Sequence, residues 1–214
     1  MTNEKWRKYQ AWLNYPASLT SKDESRRKEA REYISKATQG FDKNWEILVL
    51  GCGDGYEVKM IKEAGFNKIK GITFADQEYQ NARTMGLEEE VVQGDIHELP
   101  FANEIFDAVI SKETLEHLLS PFIALCEINR VMKIHAKFVH YIPTGSDKQR
   151  DWYHLNCFPE YIWIDLMHKT GFEVKKVFSD IAQLRYEGNK LKNKDSINEA
   201  ELYDLGLYMA RVRQ

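Results

Sequence analysis

The sequence predicts an α/β fold in which helices cover a largely parallel β-sheet. From residue 45 onward, short runs rich in β-branched residues alternate with segments of helical periodicity, the pattern of strand–helix–strand units. Hydrophobic residues make up 43% of the 214 positions, which is enough to form one core. Together these observations favour one compact α/β domain with modest appendages.

Seven strands are predicted along this domain: Ile47 to Leu50, Lys68 to Thr73, Glu90 to Gln93, Asp107 to Ser111, Lys137 to Ile142, Val174 to Asp180 and Leu207 to Arg213. Helices fill the gaps between them. Ser120 followed by Pro121 is typical of a helix start, since it pairs an N-cap residue with proline at the first helical position. The last two strands are separated by the polar stretch 187–201, which is too hydrated for a buried crossover. We therefore expect those two strands to pair antiparallel.

Residues 1–44 are predicted to form a separate helical piece that packs on the sheet domain, residues 45–214, as a lid. Trp6, Tyr9 and Leu13 are spaced i, i+3 and i+7, as on one helical face. Residues 21–24 resemble a capping box that opens a second helix. A plain docking surface is the alternative interpretation of the aromatic face.

Charge and composition exclude several function classes. Thirty basic and 33 acidic residues give a formal net charge of −3, so no general positive field attracts nucleic acid or an anionic membrane. No apolar run approaches the ~18 residues of a spanning helix. We expect a cytoplasmic protein, monomeric or homodimeric, with a small-molecule partner.

Cys52, Cys126 and Cys157 form no CxxC pair, which argues against disulfides and zinc, and we predict no metal site.

A glycine-rich turn follows the first strand. Gly51, Gly53 and Gly55 alternate with other residues before a helical pattern begins at Tyr56. Glycines permit a sharp turn and close approach of a ligand to the backbone, so the turn predicts a nucleotide-like ligand at the carboxyl edge of the sheet. No Gly-Lys-Ser/Thr follows, and Tyr56 stands where the dinucleotide fingerprint requires glycine. The alternative is a tight turn that binds nothing.

Three further segments accompany this turn: Gly-Asp-Ile-His-Glu-Leu-Pro-Phe from residue 94, Leu-Glu-His from residue 115 and Glu-Ile-Asn-Arg-Val-Met-Lys from residue 127. In order and spacing, the turn and these segments resemble the class I S-adenosylmethionine-dependent methyltransferases, particularly the small-molecule branch. The resemblance covers roughly residues 45–180. It implies a Rossmann-like, seven-stranded, mostly parallel sheet with helices on both faces and an antiparallel strand near the C-terminus.

The resemblance also implies a cofactor site for S-adenosyl-L-methionine, with S-adenosyl-L-homocysteine as the product. The three glycines would lie under the methionine end and ribose of the cofactor. Asp95 would accept a hydrogen bond from the adenine amino group, because a carboxylate is acceptor-only, with Ile96 and His97 beside the ring. A turn residue after Gly94 is the alternative for Asp95.

Three positions depart from the family, one of which, Ile134-His135 in place of Pro-Gly, lies in a loop away from the cofactor in relatives. Val49 replaces an acid that is frequent in the first strand, and Thr73 replaces the acid that usually holds the ribose hydroxyls. Thr73, Phe74 and Gln77 are therefore our predicted ribose-side residues, with Asp76 an alternative acceptor. Asp76 could instead cap the following helix.

The predicted reaction is methyl transfer to an O or N atom of a small molecule. His117, after the fourth strand, and His154, after the fifth, are the candidate catalytic residues because imidazole removes protons near neutral pH. His117 could instead only order its loop.

The alternative function is a weak or inactive cofactor-fold scaffold. A nucleic-acid methyltransferase is disfavoured by the charge and by the absence of an Asn-Pro-Pro-Tyr-type motif.

Overall fold

The computed structural model describes residues 23–143, 154–179 and 183–190. Its strands are β1 (Ile47–Leu50), β2 (Ile69–Thr73), β3 (Val91–Gln93), β4 (Phe106–Lys112), β5 (Met132–Pro143), β6 (Phe172–Ser179) and β7 (Gln183–Lys190). Its α-helices are α1 (Glu24–Ala37), α2 (Tyr56–Glu63), α3 (Asp76–Thr84), α4 (Pro121–Val131) and α5 (Glu160–Lys169). Single 3-10 turns lie at Ile96–Glu98 and Leu115–His117.

The seven strands form one sheet in the order β3-β2-β1-β4-β5-β7-β6. The pairs among β3, β2, β1, β4 and β5 are parallel, whereas β7 pairs antiparallel with both β5 and β6. The predicted fold class, a Rossmann-like and mostly parallel sheet with an antiparallel C-terminal strand, is confirmed. The carboxyl ends of β1 to β5 therefore lie at one edge of the sheet.

The position of the last strand differs from the prediction. The strand paired with β6 is β7, whose C-terminal end falls in the stretch predicted to be a polar connection, and residues 207–213 lie outside the described part of the chain. The side chain of Lys190 explains how a polar segment can form a strand of the sheet. It is buried, and its Nζ donates to the Met132 carbonyl at 2.8 Å and lies 3.5 Å from Glu104 Oε1. Backbone pairing on both sides of β7 further favours the strand.

Alternating side chains of the strands divide the interior into two cores. Ile47 and Val49 of β1 face a core formed with α1, α2 and α3, whereas Leu48 and Leu50 face a core formed with α4 and α5. Both sets are fully buried, which matches the continuous apolar run expected of a parallel strand covered on both faces. Val49, at the position where the family often has an acid, thus fills apolar volume.

Helix α1 packs on the sheet domain. It begins at Asp23, whose carboxylate accepts from the backbone N–H of Ser25 at 2.9 Å. Tyr33 packs edge-on against Tyr141 of β5, with the ring centroids 4.6 Å apart. Glu29 pairs with Lys112, the last residue of β4, at 2.6 Å. The predicted first helix of residues 1–44 lies outside the described residues.

A buried histidine makes the stability of the fold depend on pH. His140 of β5 is fully buried, stacked on Phe138 with centroids 5.8 Å apart, and edge-on to Trp163 at 6.0 Å. Desolvation lowers the pKa of His140 to about 3. The unfolded chain, with a histidine pKa of ~6.5, binds a proton that the native state rejects, so this contribution to stability is lost as pH falls from about 6.5 towards 3.

We expect His140→Leu to reduce the pH dependence of the unfolding free energy between pH 6.5 and 4.5 by up to ~1.4 kcal/mol per pH unit. Urea unfolding followed by circular dichroism at several pH values measures it. His168→Gln, at an exposed histidine of α5, is the matched control and should keep the wild-type slope. Equal slopes for His140→Leu and wild type would contradict the assignment.

Candidate functional site

The predicted site residues lie on segments that leave the same edge of the sheet. Gly51 follows β1, Thr73 ends β2, Asp95 follows β3 and His117 follows β4. His154, beyond β5, contacts His117. The carboxyl edge of a parallel sheet is where α/β folds bind ligands. The topology therefore gathers on one surface residues that are up to about a hundred positions apart in the sequence.

The glycine turn is left-handed at all three glycines. The φ angles are +61° at Gly51, +53° at Gly53 and +82° at Gly55, which is the residue before α2. A Cβ at Gly51 would lie 2.5 Å from Thr114 Oγ1, and one at Gly55 would lie 2.9 Å from Leu87 Cδ1. Packing therefore requires glycine at position 51, and the left-handed φ together with the close Leu87 methyl favours glycine at position 55. Gly53 is half-buried and is the position at which a substitution tests ligand approach.

A buried carboxylate lies beneath the end of β2. The Thr73 hydroxyl donates to Glu78 Oε2 at 2.6 Å, and both side chains are buried. Gln77 is exposed, and its amide lies 3.3 Å from Asn81 Oδ1, one turn along α3. The acid that the family pattern leads one to expect at the strand end is thus replaced here by a hydroxyl paired with an acid from the next helix.

The ends of β2 and β3 are tied together by side chains. Phe74 is half-buried, and its carbonyl accepts from the Gln93 amide of β3 at 3.3 Å. Ile96, after β3, is 7% exposed and packs into the core shared with α4 and α5. These contacts fix the backbone on which Thr73 and Asp95 stand.

Asp95 and His97 form a bracket between the β3 loop and helix α4. Asp95 Oδ1 accepts from the His97 backbone N–H at 2.9 Å and lies 2.7 Å from His97 Nδ1. The Ser120 backbone N–H donates to His97 Nε2 at 3.2 Å. Since Nε2 is the acceptor, the proton of a neutral ring lies on Nδ1 and points to Asp95. The bracket therefore sets the orientation of the Asp95 carboxylate.

The two predicted catalytic histidines are adjacent. The rings of His117 and His154 have centroids 4.7 Å apart. Asn156 holds their two segments together: its backbone N–H donates to the Glu116 carbonyl at 3.0 Å, and its side-chain amide donates to the Leu118 carbonyl. Asn156 is buried, so this connection is shielded from water. The structure thus brings together two residues that the sequence places 37 positions apart.

Two carboxyl groups at this edge have raised pKa values. Burial raises the pKa of Glu116 well above its usual range, and the charge of Glu113 adds to the effect. Desolvation also raises the pKa of Glu57, in the first turn of α2, to about 7, although Lys112 opposes the shift. Carboxyl groups held at such high pKa values favour a cationic ligand, which would stabilise their ionised forms.

Three acids of the candidate site, Glu57, Glu78 and Glu116, are not predicted from the sequence. Glu78 sits five residues after Thr73, close enough for a helix start to fold back onto the strand end, and that spacing could have indicated it. Glu116 lies within the Leu-Glu-His segment, in which only the histidine is predicted to have a site role. A 3-10 turn at Leu115–His117 buries Glu116 to 1% exposure, and the sequence carries no signal for that turn.

Comparison with known proteins gives the family. Residues 48–140, the glycine turn through β5, match the family model described as a methyltransferase domain. This region is a class I S-adenosylmethionine-dependent methyltransferase domain. The match and the sheet order confirm the family resemblance, whereas the branch within the family remains a prediction.

Relatives of this methyltransferase domain include the fatty-acid O-methyltransferase of Mycolicibacterium smegmatis, which is 32% identical over 57% of this chain and 46% of its own length. The 24-methylenesterol C-methyltransferase 3 of Arabidopsis thaliana is 32% identical over 50% of this chain and 31% of its own length. The chain thus spans half or less of these two relatives. The PH0226 protein of Pyrococcus horikoshii superposes with a TM-score of 0.67 at 16% identity, over 85% of this chain and 98% of its own, and shares the fold.

Within the described ranges, none of the helices combines the length and the apolar character needed to cross a bilayer.

Proposed function

We propose that this protein transfers a methyl group from S-adenosylmethionine to an O or N atom of a small-molecule acceptor. The observation that carries the proposal is the meeting of the glycine turn, Asp95 and the His117–His154 pair at one edge of a sheet of this family. A cofactor side and a candidate proton-accepting side thus face the same surface, as a transfer reaction requires.

The residues present fit S-adenosylmethionine. The left-handed turn after β1 exposes backbone at the sheet edge. The Thr73–Glu78 pair lies at the strand end where the ribose hydroxyls would bind. Burial raises the pKa of Glu57 to about 7, and the nearby acids Glu113 and Asp54 add to the effect, so a sulfonium cation beside this carboxyl group would stabilise its ionised form. Asp95, oriented by His97, supports adenine recognition.

In the proposed mechanism the protein orients the acceptor and removes its proton. Bound S-adenosylmethionine supplies an activated methyl group on sulfur. His117 and His154 lie after the adjacent strands β4 and β5, and either imidazole could accept a proton from a hydroxyl or ammonium acceptor near neutral pH. Asn156 fixes the distance between them, so the pair is preorganised before the acceptor binds.

We further propose that the atom that receives the methyl group is an oxygen of an apolar molecule. The fatty-acid O-methyltransferase relative supports it, because the 32% identical region covers more than half of this chain. The net charge of −3 argues against polyanionic acceptors such as nucleic acid. Fatty acids are therefore the first acceptors to assay, followed by small amines.

The test is formation of S-adenosylhomocysteine from S-adenosylmethionine by the purified protein, measured with fatty acids, phenols and small amines in parallel. We expect turnover with an oxygen acceptor, and a loss of at least tenfold in kcat for His117→Gln and His154→Gln. Exposed His168→Gln should leave turnover unchanged. Binding of the cofactor without turnover on any of these acceptors would favour the alternative of an inactive cofactor-fold scaffold.

Asp95→Ala should weaken S-adenosylhomocysteine binding by about 1–3 kcal/mol, the cost of removing one partner of a buried polar contact. Part of that loss comes from the bracket, since His97 would lose the acceptor for its Nδ1 proton. Isothermal titration calorimetry measures the affinity. Asp165→Ala, at a half-exposed aspartate of α5, is the control. Unchanged affinity for Asp95→Ala would remove this residue from the cofactor site.

The lid role of residues 1–44 is also a proposal. Docking of α1 through Tyr33 and Glu29 beside the end of β4 supports it, because this places α1 near the ligand-binding edge. Deleting residues 1–20 while keeping α1 should leave the circular dichroism spectrum of the domain intact and weaken cofactor binding several-fold. A truncated protein with full affinity and full activity would show that the aromatic residues of this region only pack or mediate assembly.

A further inference from the structure

Glu116 is a carboxyl group buried at the functional edge. Its side chain is 1% exposed, and within the described residues the backbone N–H groups of Glu116 and Thr114 lie near the carboxylate, although neither Oε1 nor Oε2 has a hydrogen bond of normal geometry. An ionised carboxylate in such a position is strongly destabilising unless a positive charge compensates for it. The fold nevertheless holds Glu116 in place through its backbone, which accepts from Asn156.

Two imidazole rings lie close to the Glu116 carboxyl group. The ligand-type atoms of Glu116, His117 and His154 all lie within 4.8 Å of one another, and Glu116 Oε1 is 4.0 Å from His117 Nε2. Neither a lysine nor an arginine forms an ion pair with Glu116 in the described part of the chain. The groups nearest to the Glu116 carboxyl are therefore imidazole nitrogens, which can bind a metal ion together with the carboxylate. A structural ion pair would instead place a lysine or arginine there.

We propose that Glu116, His117 and His154 bind one divalent transition-metal ion at the acceptor side of the site. Two imidazoles and a carboxylate suit Zn²⁺ or Mn²⁺ better than Mg²⁺ or Ca²⁺, which prefer all-oxygen sites. A metal bound at about 2.1 Å holds its ligand atoms about 3.0–3.5 Å apart, so ligand atoms that now lie up to 4.8 Å from one another must approach by up to about 1–2 Å. Both histidines are partly exposed, which permits that movement.

The site is built by two chain segments held together at their backbones. Asn156 joins the His154 segment to the turn that carries Glu116 and His117, and it is itself buried. Three protein ligands leave coordination positions for water or an acceptor oxygen, as in catalytic rather than structural metal sites. The sequence-based prediction of no metal site rests on cysteine spacing and on the absence of histidine pairs beside the cysteines, which says nothing about a Glu-His-His set.

The role of the metal rests on the proposed function. A bound ion would hold an acceptor carboxylate or hydroxyl oxygen next to the methyl group, and it would lower the pKa of a hydroxyl so that its proton passes to water. The carbon–sulfur bond of the sulfonium then breaks as the carbon–oxygen bond forms, leaving neutral S-adenosylhomocysteine. In that case His117 and His154 act as ligands, and the acceptor loses its proton without a histidine base.

The test is metal binding by the purified, chelator-treated full chain, independent of any acceptor. Titration with Mn²⁺ followed by electron paramagnetic resonance, and with Co²⁺ followed by visible absorption, should each show one equivalent bound to wild type. Glu116→Gln and His154→Gln should each weaken Mn²⁺ binding at least tenfold. His168→Gln, an exposed histidine on α5, should bind as wild type does.

Two outcomes overturn the metal proposal. The first is no stoichiometric Mn²⁺ or Co²⁺ binding by wild-type protein that is folded by circular dichroism. The second is equal binding by wild type and by folded His154→Gln, the variant at a partly exposed and thus more tolerant position. S-adenosylhomocysteine titration of the same samples separates the two proposals, because chelation should leave that affinity unchanged while a failed cofactor site abolishes it.

Discussion

Gly53→Arg is expected to abolish S-adenosylmethionine binding while the domain remains folded. Gly53 has a φ of +53° in the middle of the turn after β1, and it is half-buried. An arginine side chain there would occupy the space in which a ligand approaches the backbone, and its positive charge would repel the sulfonium. The left-handed backbone adds about 1–2 kcal/mol of strain for a residue with a Cβ. Calorimetric titration should show a loss of affinity of at least a hundredfold.

The control for that variant is Gly65→Arg. Gly65 has a φ of +91° just after α2, at the opposite end of that helix from the turn, and a Cβ there would meet nothing within 4 Å. Both variants therefore introduce the same side chain at a left-handed glycine, but only one lies in the turn. If Gly53→Arg and Gly65→Arg lose binding equally, backbone strain explains the effect. Full binding by Gly53→Arg would place the ligand elsewhere.

Trp163→Ala is expected to lower the free energy of unfolding by about 3–5 kcal/mol, the usual cost of removing a large aromatic side chain from a core. Trp163 of α5 is 1% exposed and packs against Phe158, with ring centroids 5.2 Å apart, and against His140. Phe158 lies four residues after His154, so the cavity also loosens the support of that histidine. Urea unfolding at neutral pH measures the effect.

Tyr161→Ala is the matched control on the same helix. Tyr161 is 64% exposed, so its removal should change stability by no more than about 0.5 kcal/mol. If Trp163→Ala is no less stable than Tyr161→Ala, then α5 does not pack on the sheet as the structure shows.

Most of the sheet could be predicted because its strands carry the signal locally. The run Ile47 to Leu50 is apolar at every position, as a strand buried on both faces must be, and the structure has a strand with the same bounds. The N-terminal end of α4 was predicted equally well, since Ser120 accepts from the Ile123 N–H and Pro121 takes the first helical position. Strand β7 was not predicted, because its stability comes from pairing with β5 and β6 and not from its own composition.

The candidate site was likewise predicted only in part. The glycine turn and Asp95 were found because their backbone requirements restrict residue choice within a few positions. Glu78 and Glu116 were not, because their importance depends on burial produced by tertiary structure: Glu78 beneath Thr73, and Glu116 beside a histidine from another segment. Burial of an acid can be recognised only when the surrounding elements are assembled.

The central claim is that the edge formed by β1, β2 and β3 binds S-adenosylmethionine, and direct calorimetric titration of the purified protein tests it most directly. The account predicts one site per chain for S-adenosylmethionine and for S-adenosylhomocysteine, with micromolar to sub-millimolar affinity, roughly −5 to −8 kcal/mol. Absence of both heat and thermal stabilisation at millimolar ligand, with protein that is folded by circular dichroism, would contradict it.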